Sequence, residues 1–432
     1  MRRYFLVAGI DFGTSFTKVV VRDNNAPGSK ATVVPFPQFP NGLLPSLVGI
    51  QEERLTLSAF PEKAANIPYL KMLVAHVAQH NTLCNSPSKV PKRLIPLYHK
   101  RKNTRQLLRD MLSYYLAYVI AATKAFIRTQ SNWKDFDFTP QNPNDTLLFQ
   151  LAVPTGLLND DGKTEKLFRQ SFIAGHALSQ DVNPSGVEAM PYTTWARKVD
   201  SVIPPNSTDW EAGYEWQCLI YPEVAAAVQT IFRAPNAQDG LYITMDVGAG
   251  TVDLNAFRRF TVPNSGQRNL DYYAAIVRPL GVQNLVDTHI IVNPLTEAQL
   301  MAALRQTIQE LYHSACLYQP NCGAIPGRRT WDHTRLFIFG GGSHRQEYQK
   351  NFQAGIANAG IHNSRFYFLP QATDIKLPPN IDFGRFAVAY GLSFFRANLD
   401  TVHLPHQLER FANSYPQNRQ RPVRQNQFNW ED

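Results

Sequence analysis

Cysteine is scarce in this sequence: only Cys84, Cys218, Cys316 and Cys322 occur among 432 residues, and no two of them form a Cys-x-x-Cys pair. A disulfide framework or a cysteine-based zinc site needs closely spaced cysteines, so the sequence supports neither. Sparse cysteines without such spacing are typical of a reducing compartment. We therefore expect a cytoplasmic protein.

Long apolar runs are also missing, since no segment reaches the roughly 20 apolar residues that a membrane-spanning helix needs. The first residues, MRRYFLVAGIDFG, resemble a signal peptide, but Asp11 interrupts the short apolar run and no small-residue cleavage site follows. This start predicts a first β-strand. We expect no membrane span.

Acidic residues are outnumbered, with 34 Asp and Glu against 43 Lys and Arg, which gives a net charge of +9 at pH 7. A basic balance is typical of proteins that bind nucleic acid or anionic membranes, and it is equally compatible with a nucleotide ligand. Residues 89–109 contain no acid at all. This run is either a solvated face or a surface for a partner, with nucleic acid or an anionic membrane as candidates.

The stretch GIDFGTSFTK, residues 9–18, places Asp11 near the end of an apolar run and follows it with glycine and hydroxyl residues. This pattern predicts two strands over residues 4–22 that are joined by a tight turn. A plain hairpin explains it. A phosphate-binding hairpin explains it as well, with the turn's N–H groups facing an anion and the acid orienting a hydrated metal ion.

A second copy of the pattern favours phosphate binding. LYITMDVGAGTVDLNAF, residues 241–257, again runs from an apolar strand through Asp246 and a glycine turn to Thr251 and a second strand. A third glycine cluster, 340–343, follows a predicted strand and allows a nucleoside to approach closely. Two like hairpins indicate two related lobes, in which Asp11 and Asp246 share a hydrated divalent ion.

Apolar periodicity predicts the remaining elements. The predicted strands cover residues 43–50, 146–154 and 335–344, the last ending in glycines. The predicted helices cover residues 61–77, 104–127, 161–178, 221–232, 296–317 and 385–395. Residues 181–214, rich in Pro, Ser and Asn, are predicted to be an insertion.

The order and spacing of the three clusters resemble the actin, sugar kinase and heat-shock chaperone ATPase superfamily over roughly residues 5–396. Within it, the chain is most similar to the nucleotide-binding domain of DnaK-like chaperones. The segments that carry this similarity are LPSLVGI, AANIPYLKMLVAH, LAVPTGLLND, YPEVAAAV and RFAVAYGLSF.

The resemblance implies an α/β protein with a two-lobed actin-like ATPase fold. Each lobe would be a mixed sheet flanked by helices, with the nucleotide in the central cleft. Lobe I would cover residues 1–236 with a return at 372–400, and lobe II would cover residues 237–371 with its outer part trimmed. Residues 401–432 would form a flexible tail. The trimmed part normally contributes to the adenine site, so the base specificity stays open.

The resemblance also implies a role for each matching residue. Asp11 and Asp246 would hold Mg²⁺ and its waters. Lys71 would contact the γ-phosphate and help to position the attacking water, and Glu223 would lie among the groups around the metal. Thr251 and Asp253 would assist hydrolysis. The nucleotide would also contact Gly13, Thr14, Ser15, Gly248, Gly250, Gly341, Gly342, Ser343 and Arg345, the last against the base.

These roles describe a Mg²⁺-dependent ATPase switch that signals by lobe rotation to a protein partner. We expect no peptide-binding domain after residues 385–395, so the partner would meet residues 89–109, residues 181–214 or the tail. The alternatives are an actin-like filament protein, a small-molecule kinase and a nucleotide-binding scaffold without turnover. A kinase needs a base that faces an acceptor pocket, for which the sequence offers no candidate. The aspartate pair and Thr251 argue against the scaffold.

Overall fold

The computed structural model contains helices and mixed sheets, so the chain is an α/β protein, as predicted. It divides into two compact units. Unit 1 comprises Met1–Val153, Leu157–Thr230 and Gln371–Leu399, and unit 2 comprises Pro154–Gly156, Ile231–Pro370 and Asp400–Asp432. The structure describes residues 3–57, 65–67, 70–80, 94–138, 145–154, 156, 162–185, 188–204, 217–233, 237–285, 295–318, 331–362 and 364–408.

The described residues form the following strands: β1 (Phe5–Phe12), β2 (Phe16–Asp23), β3 (Ala31–Val33), β4 (Leu44–Pro45), β5 (Val48–Gln51), β6 (Arg54–Thr56), β7 (Ala65–Ile67), β8 (Thr146–Val153), β9 (Met190–Pro191), β10 (Cys218–Pro222), β11 (Gly240–Val247), β12 (Val252–Thr261), β13 (Arg268–Arg278), β14 (Arg335–Phe339), β15 (Arg365–Phe368), β16 (Ile375–Lys376) and β17 (Thr401–His403).

The α-helices are α1 (Leu70–His80), α2 (Ile95–Arg101), α3 (Thr104–Thr129), α4 (Lys163–Ala177), α5 (Tyr192–Val202), α6 (Glu223–Ala227), α7 (Gln229–Phe232), α8 (Glu297–Cys316), α9 (Gln346–Asn358) and α10 (Ala387–Leu392). Among the described helices, none is both long enough and apolar enough to cross a membrane.

The main sheet of unit 1 has the strand order β10-β8-β1-β2-β3-β16, with β4 also paired to β2. Strand β1 runs parallel to β8 and antiparallel to β2, and all but its first residue are buried. A central strand that is covered on both faces needs such a continuous apolar run. Helix α3 is buried along most of its length, which confirms the helix predicted over 104–127. The predicted hairpin at 4–22 is confirmed as well.

Unit 2 is built on a sheet of order β15-β14-β11-β12-β13-β17. Strands β11, β14 and β15 are parallel, whereas β11, β12 and β13 form an antiparallel meander. Apolar side chains of α8 and α9 pack on this sheet in one core, among them Leu304, Ile308 and Phe352. The second predicted hairpin, over 241–257, is thereby confirmed.

A small sheet of unit 1, with the order β7-β5-β6-β9, corrects two predictions. The helix predicted over 61–77 begins only at Leu70, because residues 65–67 pair with β5 as strand β7. The predicted insertion at 181–214 is partly integrated into the unit, since β9 pairs with β6. Helix α5 follows β9 directly and buries Trp195.

The structure also differs from the prediction at the helix over 221–232 and at the start of the predicted tail. The helix predicted over 221–232 begins at Glu223, because residues 218–222 form strand β10. Helix α10 crosses α6 so closely that a Cβ on Gly391 would lie 1.8 Å from the carbonyl oxygen of Ala226. Residues 401–403, predicted as part of a flexible tail, pair with β13 as strand β17. Residues 409–432 lie outside the described part of the chain.

Candidate functional site

The first hairpin places Asp11 at the penultimate position of β1, directly opposite Lys18 on β2. The carboxylate is only 3% exposed, and its Oδ2 atom lies 2.5 Å from Lys18 Nζ. Its Oδ1 atom is buried and accepts no hydrogen bond from any described residue. A buried carboxylate oxygen is costly unless a partner compensates it. Asp11 therefore has one oxygen paired with a cation and one that can take a further ligand.

A buried ion pair of unit 1 joins two other predicted site residues. Lys71, in the first turn of α1, donates to both carboxylate oxygens of Glu223 at 3.1 and 2.8 Å. Glu223 is the first residue of α6, and each side chain is less than a tenth exposed. Burial raises the pKa of Glu223, Lys71 opposes that rise, and the Asp11 carboxylate adds to it. The negative charge of Asp11 therefore acts on the Lys71–Glu223 ion pair.

The turn after β1 offers backbone donors. Neither Gly13 nor Thr14 donates its backbone N–H to another group of the described chain. The carbonyl oxygen of Ser15 accepts from the backbone N–H of Ser46 at 2.9 Å, which ties the turn to the residue after β4. A Cβ on Gly13 would lie 2.5 Å from the carbonyl oxygen of Phe16, so the turn needs glycine there. A fixed turn with available N–H groups is suited to an anion.

The second hairpin, in unit 2, has the same arrangement of strand, turn and strand, but the residue opposite its first aspartate is acidic and not basic. Asp246 is the penultimate residue of β11 and lies opposite Asp253, where the first hairpin has a lysine. Both aspartates are buried. Thr251 Oγ1 donates to Asp253 Oδ2 at 3.3 Å, and the N–H of Gly248 donates to the carbonyl of Thr251 at 2.9 Å. A Thr–Asp pair thus stands beside the turn.

The carbonyl groups of this second turn are held by a neighbouring segment. The N–H groups of Val282 and Gln283 donate to the carbonyls of Gly248 and Ala249 at 3.1 and 2.7 Å. The N–H groups of Ala249 and Thr251 donate to nothing within the described residues. Held in this way, the turn offers its N–H groups, as the first turn does, beside the buried carboxylates of Asp246 and Asp253.

The third glycine cluster supports the second hairpin from its other side. Gly340 follows β14 with a φ of +86°, and a Cβ there would lie 2.1 Å from Asp246 Oδ1. Gly342 donates its N–H to the carbonyl of Val247 at 2.9 Å. Gly342 and Ser343 are buried, while Gly341 and Arg345 are exposed. The cluster therefore holds the backbone next to Asp246, and the missing side chain at Gly340 leaves the space that the Asp246 carboxylate occupies.

The donor set fits a magnesium ion better than a metal held by protein ligands alone. Within the described residues, no group of three or more His, Cys, Asp or Glu side chains is placed to hold a metal. Magnesium usually takes one or two carboxylates and completes its shell with waters and substrate phosphates. Asp11 in unit 1 and Asp246 in unit 2 are each a single buried carboxylate beside a glycine turn. The buried Oδ1 atom of Asp11, which accepts no hydrogen bond from any described residue, is suited to this role.

The basic run at 89–109 is used partly inside unit 1. Arg101 donates to both carboxylate oxygens of Asp200 at 2.7 and 2.6 Å. Arg109 donates to Asp110 at 2.9 Å and to Asp200 at 2.7 Å. These buried and half-buried ion pairs tie α2 and α3 to α5. The arginines in them have a structural role, whatever the rest of the run contacts.

Sequence reasoning missed two residues near these turns, Lys18 and Gly281, and one contact of a third, Gly340. Lys18 faces Asp11 across the first hairpin, and counting outward from the turn would have identified it. Gly281 lies against the second turn, where its Cβ would come within 2.5 Å of the carbonyl oxygen of Ala249. Gly340, part of the third glycine cluster identified from the sequence, follows β14 and leaves space for the Asp246 carboxylate. The last two contacts join distant parts of the chain, and no local pattern indicates them.

No family model and no curated protein matches this chain. The resemblance to the actin-type ATPases thus remains a prediction that rests on the motifs and on the geometry of the two hairpins.

Proposed function

We propose that this chain is a Mg²⁺-dependent ATPase of the actin and heat-shock chaperone type, which acts as a nucleotide switch for a protein partner. The same proposal gives the chain a two-lobed actin-like ATPase fold. This fold is supported by the presence in each unit of a mixed sheet with a hairpin whose first strand has a buried aspartate at its penultimate position.

One observation carries the proposal: the charges gathered at the first hairpin. Four ionisable side chains, Asp11, Lys18, Lys71 and Glu223, form two ion pairs, and three of them are less than a tenth exposed. Burying an ion costs several kcal/mol even after the protein relaxes. A plain hairpin needs no such cluster. Groups of buried, mutually perturbing charges are typical of functional sites.

The turns complete the chemistry that a polyphosphate requires. The N–H groups of Gly13 and Thr14, and those of Ala249 and Thr251, would bind phosphate oxygens. Magnesium, when bound by Asp11 and Asp246, would neutralise phosphate charge and orient the phosphates. These contacts come from backbone N–H groups and carboxylates. They would therefore recognise the triphosphate part of the nucleotide and not its base.

The remaining residues would act on the transfer step. Lys71, oriented by Glu223, would stabilise the charge of the transferring phosphoryl group. The Thr251–Asp253 pair would orient the attacking water, and the Asp253 carboxylate would accept its proton. Attack on the γ-phosphorus breaks its bond to the bridging oxygen and yields ADP and inorganic phosphate. Positioning and charge, rather than covalent chemistry, carry such a reaction.

Titration calorimetry with ATP tests the binding part of this proposal. We expect wild-type protein to bind ATP with Mg²⁺ and to lose at least tenfold in affinity when EDTA replaces the metal. Asp11→Asn and Asp246→Asn should each weaken Mg-ATP binding by a similar factor. Asp271→Asn is the matched control, because that acid pairs with His403 on the same sheet as Asp246. Wild-type affinity in both site variants, or binding that ignores Mg²⁺, contradicts the proposal.

A further inference from the structure

An exposed aromatic cluster stands at the end of β15. Phe368 is the last residue of that strand and is 42% exposed, which is unusual for a phenylalanine on a structured strand. His344 stacks on its ring with the centroids 5.1 Å apart and the planes at 19°. Phe366 contacts the same ring edge-on at 5.5 Å. The ring is therefore held in place while much of it faces solvent.

This cluster lies at the edge of the sheet that carries Asp246. The parallel register pairs Met245 with Ile338 and Ile338 with Phe368, so the carboxyl ends of β11, β14 and β15 lie side by side. Adjacent strands are about 4.8 Å apart, which puts the backbone of Phe368 about 10 Å from β11. Open α/β sheets bind ligands beyond the carboxyl ends of their parallel strands.

The glycine turn after β14 connects the cluster to the second hairpin. His344 directly follows Gly342 and Ser343, which are buried. The N–H of Gly342 is bonded to the carbonyl of Val247 in the hairpin, and Gln349 of α9 donates to the carbonyl of Ser343 at 2.9 Å. The aromatic pair is thus fixed relative to Asp246. An extended nucleotide spans a comparable distance from its phosphates to its base.

We propose that Phe368, with His344 stacked on it, is the base-stacking surface for the nucleotide whose phosphates meet the Gly248–Thr251 turn. This inference rests on the proposed function and names the group that contacts the base. Every nucleobase has a π-face, so recognition by stacking is tolerant of base identity. The surface therefore predicts that ATP and GTP bind with affinities within a few-fold of each other.

An experiment with three ligands and two variants distinguishes binding of the base at this surface from binding of the phosphates. The ligands are Mg-ATP, Mg-GTP and Mg-tripolyphosphate, and the readout is the dissociation constant from titration calorimetry. The test variant is Phe368→Ala. The control is Tyr367→Ala, which removes the neighbouring aromatic residue, 38% exposed and stacked on Phe337. Successive strand residues point to opposite faces, so the control alters the other face of β15.

For wild-type protein and Tyr367→Ala, we expect both nucleotides to bind about tenfold tighter than tripolyphosphate. Phe368→Ala should remove that difference and leave tripolyphosphate binding unchanged. If Phe368→Ala keeps the difference, or if the wild type binds tripolyphosphate as tightly as ATP, the base lies elsewhere and this inference is wrong while the proposed function stands. If the wild type binds none of the three ligands, the proposed function fails and the inference falls with it.

Discussion

Lys71 and Glu223, which are 152 residues apart in the sequence, form a bidentate ion pair whose two contacts measure 3.1 and 2.8 Å. Both side chains are less than a tenth exposed. The pair joins the first turn of α1 to the start of α6, next to the hairpin that carries Asp11. A lysine held in this way is not part of a solvated helix face, and its geometry is set before any ligand arrives.

Breaking this pair from one side should be costly. Lys71→Met leaves the Glu223 carboxylate buried without its cation, and we expect the free energy of unfolding to fall by about 3–5 kcal/mol at pH 8. The pKa of Glu223 is already raised by burial, and loss of the lysine raises it further. An acid whose pKa is higher in the folded than in the unfolded state destabilises the fold as the pH increases. The fall in the free energy of unfolding caused by Lys71→Met should therefore be smaller at pH 5 than at pH 8. Urea unfolding at the two pH values measures it.

The matched variant for that experiment is Lys71→Met with Glu223→Gln, which removes both charges. It should recover most of the lost stability, because no buried charge is then left uncompensated. The losses of stability in Lys71→Met alone and in Glu223→Gln alone are compared with that of the double variant. If the two losses simply add, the side chains do not interact in solution and the broken ion pair is not the cause of the lost stability.

Lys71 should matter more for turnover than for nucleotide affinity. If its charge stabilises the transferring phosphoryl group, Lys71→Ala should lower kcat on the order of 100-fold while the dissociation constant of Mg-ATP changes only a few-fold. Single-turnover hydrolysis and calorimetry on the same preparation measure the two quantities. Equal losses in both would assign Lys71 to ground-state binding, and no loss in either would leave it a purely structural residue.

Gly340 should be required for the position of Asp246. An alanine there meets Asp246 Oδ1 at 2.1 Å and also strains a backbone with a φ of +86°. Gly360→Ala is the control, since its φ is +77° and its Cβ would meet nothing within 4 Å. Both variants should lose about 1–2 kcal/mol of stability from the left-handed backbone. Only Gly340→Ala should also weaken Mg-ATP binding, and equal binding in the two variants would separate Asp246 from the nucleotide site.

His176 should make unit 1 sensitive to acid. Burial, with help from the charge of Lys124, lowers its pKa to about 3 from an ordinary value of about 6.5. A histidine whose pKa is lower in the folded state contributes its full stability at a pH above its pKa in the unfolded state. The fold loses that contribution as the pH falls below this pKa. Between pH 7 and pH 5 the loss should be about 2 kcal/mol. In His176→Gln the free energy of unfolding should change less over this interval, and an unchanged pH slope would exclude His176 as the cause.

The features that the sequence predicts best are those that its local pattern determines. The two hairpins follow from apolar runs that end in an acid and a glycine turn, and the structure confirms both pairs of strands. Helix α3 follows from 3.6-residue periodicity over 26 residues. Strands β4 and β5 correspond to one predicted strand at 43–50, because Ser46 bonds back to Ser15 and interrupts it.

The features that the sequence does not predict depend on distant partners. Strand β7 has three residues and exists because β5 lies beside it, so its own pattern is too short to identify. Helix α5 lies within a stretch whose Pro, Ser and Asn content is typical of a loop, yet Trp195 is fully buried there against α3. The residues of the Lys71–Glu223 pair were placed in the site by resemblance alone, and their contact required the fold.

Phosphate release from Mg-ATP by the wild type, Asp11→Asn and Asp246→Asn measures whether the two aspartates serve ATP hydrolysis, because each substitution removes one carboxylate from a proposed site that balances several phosphate charges. We expect measurable turnover by the wild type and by the Asp271→Asn control, and loss of most of that turnover in each site variant. Wild-type rates in both Asp11→Asn and Asp246→Asn would contradict a nucleotide site built on the two hairpins.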